Sequence, residues 1–188
     1  MSRFNILTDT LPDTVTLFEK EYKVHTSFKN WLRIEKIISS YSEDEKKVAK
    51  ALKLCYKEEL PPNIVSSFLG MMVFLNRGTE LAVPQGEKTE PLFSFSDDAD
   101  IIYSAFYSKY GIDLNKEDMH WYKFCTLFST LSLDNPFQST LKIRTLDESN
   151  IKDPSKRRKI RMLKEKFKVK DIANRSEVDV AERLSTLF

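Results

Sequence analysis

The N-terminal part of the chain contains a pattern of apolar residues with a period of two. Apolar and polar positions alternate through "TVTLFEKEYKVHT", where Val15 and Leu17 belong to the first run and Tyr22 and Val24 to the second. This alternation is typical of half-buried strands and predicts a β-hairpin, although the segment lacks an Asn-Gly turn. Because an isolated hairpin is only marginally stable in water, we expect it to pack against another element.

Most of the remaining pattern has helical spacing. A first helix follows Ser27, a second follows the S-x-x-E capping box of Ser42 and Glu45, and a third runs from about Ile64 to Leu75. Prolines in "ELPPN" end the second helix, since proline cannot continue the hydrogen-bond ladder. The sequence therefore predicts a mainly α fold: a helical domain with a small N-terminal β-hairpin and a basic C-terminal helix.

Two aromatic stripes occupy "DDADIIYSAFYSKYGIDLNKEDMHWYKFCTLF". The first lies on a helix that ends at Gly111, and the second lies on the following helix. We interpret them as two facing seams of a helix–helix core. We interpret Asp97, Asp98 and Asp100 as carboxylates that cap the first helix and interact favourably with the positive end of its dipole. The stripes consist of Ala99, Ile102, Tyr103, Phe106 and Tyr110, and of Trp121, Phe124, Cys125 and Phe128.

The predicted organisation has three parts. Residues 1–26 form an N-terminal segment with the hairpin, residues 27–170 form the helical domain, and residues 171–188 form a C-terminal arm. Within the domain, a mobile surface loop is predicted at about 77–95, where the chain has no period and contains Gly and Pro. The arm carries an apolar stripe that includes Leu184, Leu187 and Phe188 and is too short to be stable alone, so we expect it to need a partner or a second copy.

Net positive charge is concentrated near the C-terminus. Ten Lys or Arg residues stand against two acidic residues between Lys152 and Lys170, a net charge of +8, so the rest of the chain carries 2 − 8 = −6. Asp153 and Pro154 predict the start of a basic amphipathic helix at about 154–170. The candidate partner-binding residues are Lys156, Arg157, Arg158, Lys159 and Arg161 on this helix, with Leu184, Leu187 and Phe188 of the arm.

The sequence offers little for catalysis or metal binding. His120 has no His or Cys three or four residues away, so we expect it to make a hydrogen bond at a helix edge. Cys55 and Cys125 form no CxxC pair and are predicted to be small buried thiols. We predict no catalytic residue, no cofactor and no metal. No apolar run approaches the roughly 20 residues that span a bilayer, and no signal segment is recognised at the start, so we expect a cytosolic protein without membrane contact.

Several segments carry a family likeness. "DDADIIYSAFYSKYGIDL", "MHWYKF" and "IKDPSKRRKIRMLKEKF", with the earlier "EYKVHTSFKNWLRIEKII", resemble the bacteriophage gene-product-fifteen family, from the tail-assembly region of long-tailed phages. The likeness spans about residues 11–168. The positions that match the family motif, which we interpret as mostly structural, are Asp98, Asp100, Tyr103, Phe106, Tyr110, Gly111, His120, Trp121, Lys123 and Phe124.

The resemblance implies a tail assembly chaperone, or an accessory protein of tail assembly. Such a protein binds the tape measure protein, tail tube subunits or both before the tube polymerises. It acts in the host cytoplasm, is not an enzyme and needs no cofactor. Self-association is a further expectation, since the C-terminal arm needs a surface to pack on.

Two other functions stay open. The basic helix at 156–170 could bind nucleic acid, but it has few side chains that read bases and the rest of the chain is acidic. A basic face that docks on the chain's own acidic half is at least as consistent with the sequence. The chain could also be a structural component that stays in the virion tail, and the sequence does not separate this from a chaperone that leaves.

Overall fold

The computed structural model describes residues 4–39, 45–78, 92–131 and 135–169. Three predictions fall wholly or partly outside these residues: the capping serine at 42, most of the loop at about 77–95, and the C-terminal arm with Leu184, Leu187 and Phe188.

The described residues form a two-stranded antiparallel hairpin and seven α-helices, so the predicted mainly α fold class with an N-terminal hairpin is confirmed. A 3-10 turn at Glu148–Asn150 precedes the last helix. The strands are β1 (Thr14–Leu17) and β2 (Lys20–Lys23); the helices are α1 (Phe28–Ser39), α2 (Glu45–Cys55), α3 (Ile64–Leu75), α4 (Ala99–Tyr110), α5 (Trp121–Ser129), α6 (Pro136–Thr145) and α7 (Pro154–Lys166).

The chain divides into two compact units. Among the described residues, unit 1 comprises 4–39, 45–78 and Asp118–Thr126, and unit 2 comprises 92–117, 127–131 and 135–169. Helix α5 thus begins in unit 1 and ends in unit 2. The predicted domain boundaries at residues 26 and 170 stay predictions. The prediction that the two aromatic stripes face each other also stays a prediction.

The hairpin turn has an unusual backbone. Phe18 and Glu19 connect the strands with φ angles of 51° and 60°. A type I′ hairpin turn needs positive φ at both central residues and therefore favours Asn-Gly. Here a bulky aromatic and a glutamate adopt this conformation, and the Phe18 side chain is 70% exposed.

The hairpin packs on α3, as predicted for an element too small to be stable alone. Val15 and Tyr22 are paired across the strands and buried. Leu17 approaches α3 at Gly70, where an added Cβ would lie 2.7 Å from Leu17 Cδ1 and 2.6 Å from the hydroxyl of Tyr56. Only glycine fits this contact without a shift of its neighbours.

Aromatic rings form the core of unit 1. Trp31 is fully buried, with its ring centroid 4.8 Å from that of Phe74 and 6.3 Å from that of Trp121. Phe28 stacks on Phe124 at 4.8 Å. Helix α5 therefore contributes to a core that also contains buried residues of the hairpin, α1, α2 and α3.

Unit 2 has its own core around α4 and α6, which pack against each other. Ile102, Ala105 and Phe106 are the buried residues of α4. Ala99 is exposed, so its place in the predicted buried stripe is wrong. A second group of rings lies together in this unit: Phe93, Phe95, Phe128 and Phe137, with centroid distances of 5.1–5.7 Å.

The hairpin turn leads to a first prediction. Glu19→Gly should raise the free energy of unfolding by about 1 kcal/mol, because a left-handed conformation costs an ordinary residue about 1–2 kcal/mol and glycine very little. Chemical denaturation measures the change. The matched control is Glu21→Gly in β2, which should lower stability because glycine weakens a strand. If both changes lowered the stability equally, the backbone strain assigned to Glu19 in the turn would be contradicted.

Candidate partner-binding surface and the family motif

Asp98 is the motif residue whose role differs most from the prediction. It occupies the N-cap position of α4 and is 3% exposed, but its side chain makes no capping hydrogen bond. Instead, each of its carboxylate oxygens accepts a 2.7 Å hydrogen bond from the guanidinium of Arg144, and the backbone N–H of Ser94 donates to it at 3.1 Å. The capping interpretation of Asp98 is therefore wrong, because a buried cation on α6 takes its carboxylate.

Arg144 uses the rest of its guanidinium to join distant parts of unit 2. Nη1 also donates to the carbonyl of Leu92 at 2.9 Å, and Nε donates to the carbonyl of Phe167 at 2.5 Å. One side chain thus connects the segment before α4, the start of α4 and the end of α7. The sequence carries no local signal for this residue, since its partners lie 23 to 52 positions away.

Three more motif residues fix the end of α4 and the chain after it. Gly111 has a φ of 66°, and its N–H donates to the carbonyl of Tyr107 as the helix ends. The hydroxyl of Tyr103 donates to Asp113 at 3.1 Å, and that of Tyr110 to the carbonyl of Leu127 at 2.8 Å. The predicted C-terminal stop at Gly111 is confirmed.

His120 caps α5 with its imidazole. Nδ1 accepts a hydrogen bond from the N–H of Tyr122 at 3.0 Å, so the proton of the neutral ring is on Nε2, which donates to the carbonyl of Pro12 at 2.8 Å. Burial lowers the pKa of His120 more than the Pro12 carbonyl and the nearby Asp13 raise it. The predicted hydrogen bond at a helix edge is confirmed.

The other motif residues are either core or surface. Phe106 and Phe124 are buried, and so is Trp121, whose indole N–H donates to the carbonyl of Leu75 at the end of α3. Asp100 and Lys123 are exposed. The motif is split between the units: positions 98–111 belong to unit 2, and positions 120–124 belong to unit 1.

The predicted basic helix begins as expected. Asp153 accepts hydrogen bonds from the N–H groups of Ser155 and Lys156, and Pro154 is the first helical residue. The amphipathic pattern of this helix places an apolar stripe at Ile160, Leu163 and Phe167, and all three side chains are half-buried.

One edge of α7 is tied to the preceding turn. Arg157 donates twice to the carbonyl of Ile151, at 3.0 and 2.6 Å. Arg161 pairs with Glu148 at 3.1 Å, and Lys164 donates to the carbonyl of Leu146 at 2.9 Å. The predicted candidates on α7 thus separate into Arg157 and Arg161, which have partners in unit 2, and the exposed Lys156, Arg158 and Lys159.

The prediction of small buried thiols is confirmed for Cys55, whereas Cys125 is less buried than predicted. Cys55 is fully buried, Cys125 is half-buried, and burial raises the pKa of the Cys125 thiol to about 12. In the described ranges, no group of three or more His, Cys, Asp or Glu side chains is placed to hold a metal ion. A search of the same ranges found no helix with the length and apolarity needed to cross a membrane.

The fold and these contacts define a mainly helical protein in which most of the motif stabilises two compact units. A family model described as "Bacteriophage Gp15 protein" matches residues 7–169, and the chain belongs to this bacteriophage family. No curated protein and no solved structure matches the chain.

The buried ion pair gives a second prediction. Arg144→Ala should lower the free energy of unfolding by about 3–5 kcal/mol, because it leaves the buried Asp98 carboxylate without its cation. Arg161→Ala is the matched control, since its pair with Glu148 is 72% exposed on the arginine side and should contribute at most about 1 kcal/mol. Thermal denaturation of both variants measures the difference, and similar melting temperatures would refute the assigned role of Arg144.

His120 gives a third prediction. Its folded-state pKa lies below the ordinary 6.5, so the unfolded chain binds more protons in that range. The stability that neutral His120 contributes is therefore fully present above pH 6.5 and is lost as the pH falls through the folded-state pKa. The control is His120→Asn, which keeps a capping acceptor but does not titrate. Between pH 7.5 and pH 5, the melting temperature of the parent should fall more than that of the variant; parallel curves would argue against a half-buried neutral imidazole.

Proposed function

We propose that this chain is a phage tail assembly chaperone, or an accessory protein of tail assembly. In this role it binds the tape measure protein, tail tube subunits or both in the host cytoplasm before the tube polymerises, and it performs no catalysis. Membership of the bacteriophage Gp15 family supports the phage setting. The tail-assembly role comes from the resemblance of its motifs to the tail-region proteins described above.

The hydrogen bonds made by the polar side chains of the motif support a binding function rather than catalysis. A general acid or base must reach the proton that it transfers, so it needs a group open to substrate. Asp98 is enclosed by Arg144, and both ring nitrogens of His120 are engaged by the backbone. This commitment of Asp98 and His120 to the scaffold is the observation that carries the proposal. Helix α7 carries a local excess of positive charge, with seven Lys or Arg residues and one Glu.

A phage with a stop codon in this gene tests the proposal. We expect DNA-filled heads without tails by electron microscopy, and tails restored by the gene on a plasmid. When the tape measure protein is expressed alone it should be insoluble, and co-expression with this chain should bring it into the soluble fraction as a co-purifying complex.

Mass spectrometry of purified wild-type virions separates the chaperone from a structural component. The proposal expects the chain to be absent from finished particles or far below the amount of tail tube protein. A stoichiometric amount in the virion would make it a tail component instead. Normal tails in the phage with the stop codon would remove the assembly role altogether.

A further inference from the structure

Helix α7 has one face that the described residues of its own unit do not cover. Pro154, Arg158, Met162 and Glu165 have the spacing i, i+4, i+8 and i+11, so they form a single stripe along the helix. Met162 is 67% exposed, although it is a large apolar side chain. The opposite side, with the half-buried Ile160 and Leu163, packs toward α6.

This outer stripe forms a shallow recess along the helix axis. The recess has a volume of about 690 Å³ and is lined by Pro154, Arg157, Arg158, Arg161, Met162 and Glu165. From Pro154 to Glu165 the helix rises about 16 Å, or three turns. A ridge of side chains on another helix has this length and shape, because helices pack by placing ridges into such grooves.

The charge of this face is strongly positive. Helix α7 carries seven Lys or Arg residues and one Glu, a net charge of +6. Arg157, Arg161 and Lys164 have partners in the turn before the helix. Within the described parts of the chain, Arg158 and Lys159 have no ion-pair partner, so their charges are available to a ligand.

We propose that the outer face of α7 is a docking site for an acidic amphipathic helix of another polypeptide. The acidic side chains of that helix pair with Arg158 and Lys159, and an apolar side chain covers Met162. This is recognition of an amphipathic helix in a groove, with charge complementarity setting its register. The inference rests on the proposed function in one respect, since it takes polypeptide binding to be what the chain does.

Two features of the face favour a polypeptide over nucleic acid. Glu165 lies in the recess with the arginines, and a uniformly anionic backbone would place phosphates against its carboxylate, whereas a polypeptide can put a neutral or basic residue there. The exposed apolar side chain is Met162, and the recess holds no aromatic ring on which a base could stack.

Binding of a synthetic probe to the full chain tests the site. The probe is a fluorescent helical peptide with a leucine stripe flanked by glutamates, and affinity is measured by anisotropy at low and physiological salt. Arg158→Glu with Lys159→Glu should weaken binding at least about tenfold, and Met162→Ser about tenfold. The control is Lys50→Glu with Lys53→Glu on α2, which makes the same charge change at exposed positions and should alter affinity by less than about twofold.

A peptide with lysines in place of the glutamates should bind the Arg158→Glu and Lys159→Glu variant better than it binds the parent. Circular dichroism should show equal helix content in all variants, because the altered side chains are exposed.

Two outcomes would overturn the docking site. One is unchanged peptide affinity in the α7 variants. The other is tighter binding of a duplex DNA oligonucleotide than of the peptide, with loss of DNA affinity in the Arg158→Glu and Lys159→Glu variant and none in Met162→Ser. If the peptide does not bind but the tape measure protein still co-purifies with the chain, only the α7 site fails and the proposed function stands.

Discussion

Unit 2 depends on the hydrogen bonds of one buried guanidinium. Arg144 brings a positive charge into a site where its side chain is 10% exposed, and removing such a charge from water costs several kcal/mol. The carboxylate of Asp98 and two backbone carbonyls accept hydrogen bonds from this guanidinium and offset the cost. The end of α7 is one of them, so the position of the basic helix is linked to the start of α4.

In unit 1, aromatic residues join separate elements, as Arg144 does in unit 2. The indole N–H groups of Trp31 and Trp121 donate to the carbonyls of His25 and Leu75, while their rings pack in the core. Each tryptophan therefore contributes apolar contact and also donates to a backbone carbonyl outside its own helix. A chain with only four glycines uses one of them, Gly70, where a side chain would require Leu17 and Tyr56 to shift.

Features with a local cause were predictable from the sequence. The bounds of α3, the left-handed Gly111 and the Asp153 cap follow from spacing and from residues with one preferred use. Helix α6 was not predicted, although Asn135 and Pro136 form a helix start, because only Phe137 and Thr140 of that helix are buried and the apolar period is weak.

The pairing of Asp98 with Arg144 could not be read from the sequence. It joins positions 46 residues apart, and the carboxylates at 97–100 look like capping groups until the fold brings the arginine to them. At the candidate surface, the cluster of basic residues correctly predicted the position of α7. Which of its cations pair within the protein depends on the position of the turn at Glu148–Asn150, and the sequence did not show this. The family was recognisable from short motifs, and the wider match bears this out.

The order of the two units along the chain has a consequence for synthesis. Unit 1 begins near the N-terminus but takes its last core residues, Trp121 and Phe124, from a segment that follows α4. Unit 2 is divided in the same way, since Arg144 comes after that segment. Domains made of continuous chain can fold in turn as they leave the ribosome. Here neither core can close until most of the polypeptide has been made, so the nascent chain exposes aromatic surface for longer than two successive domains would.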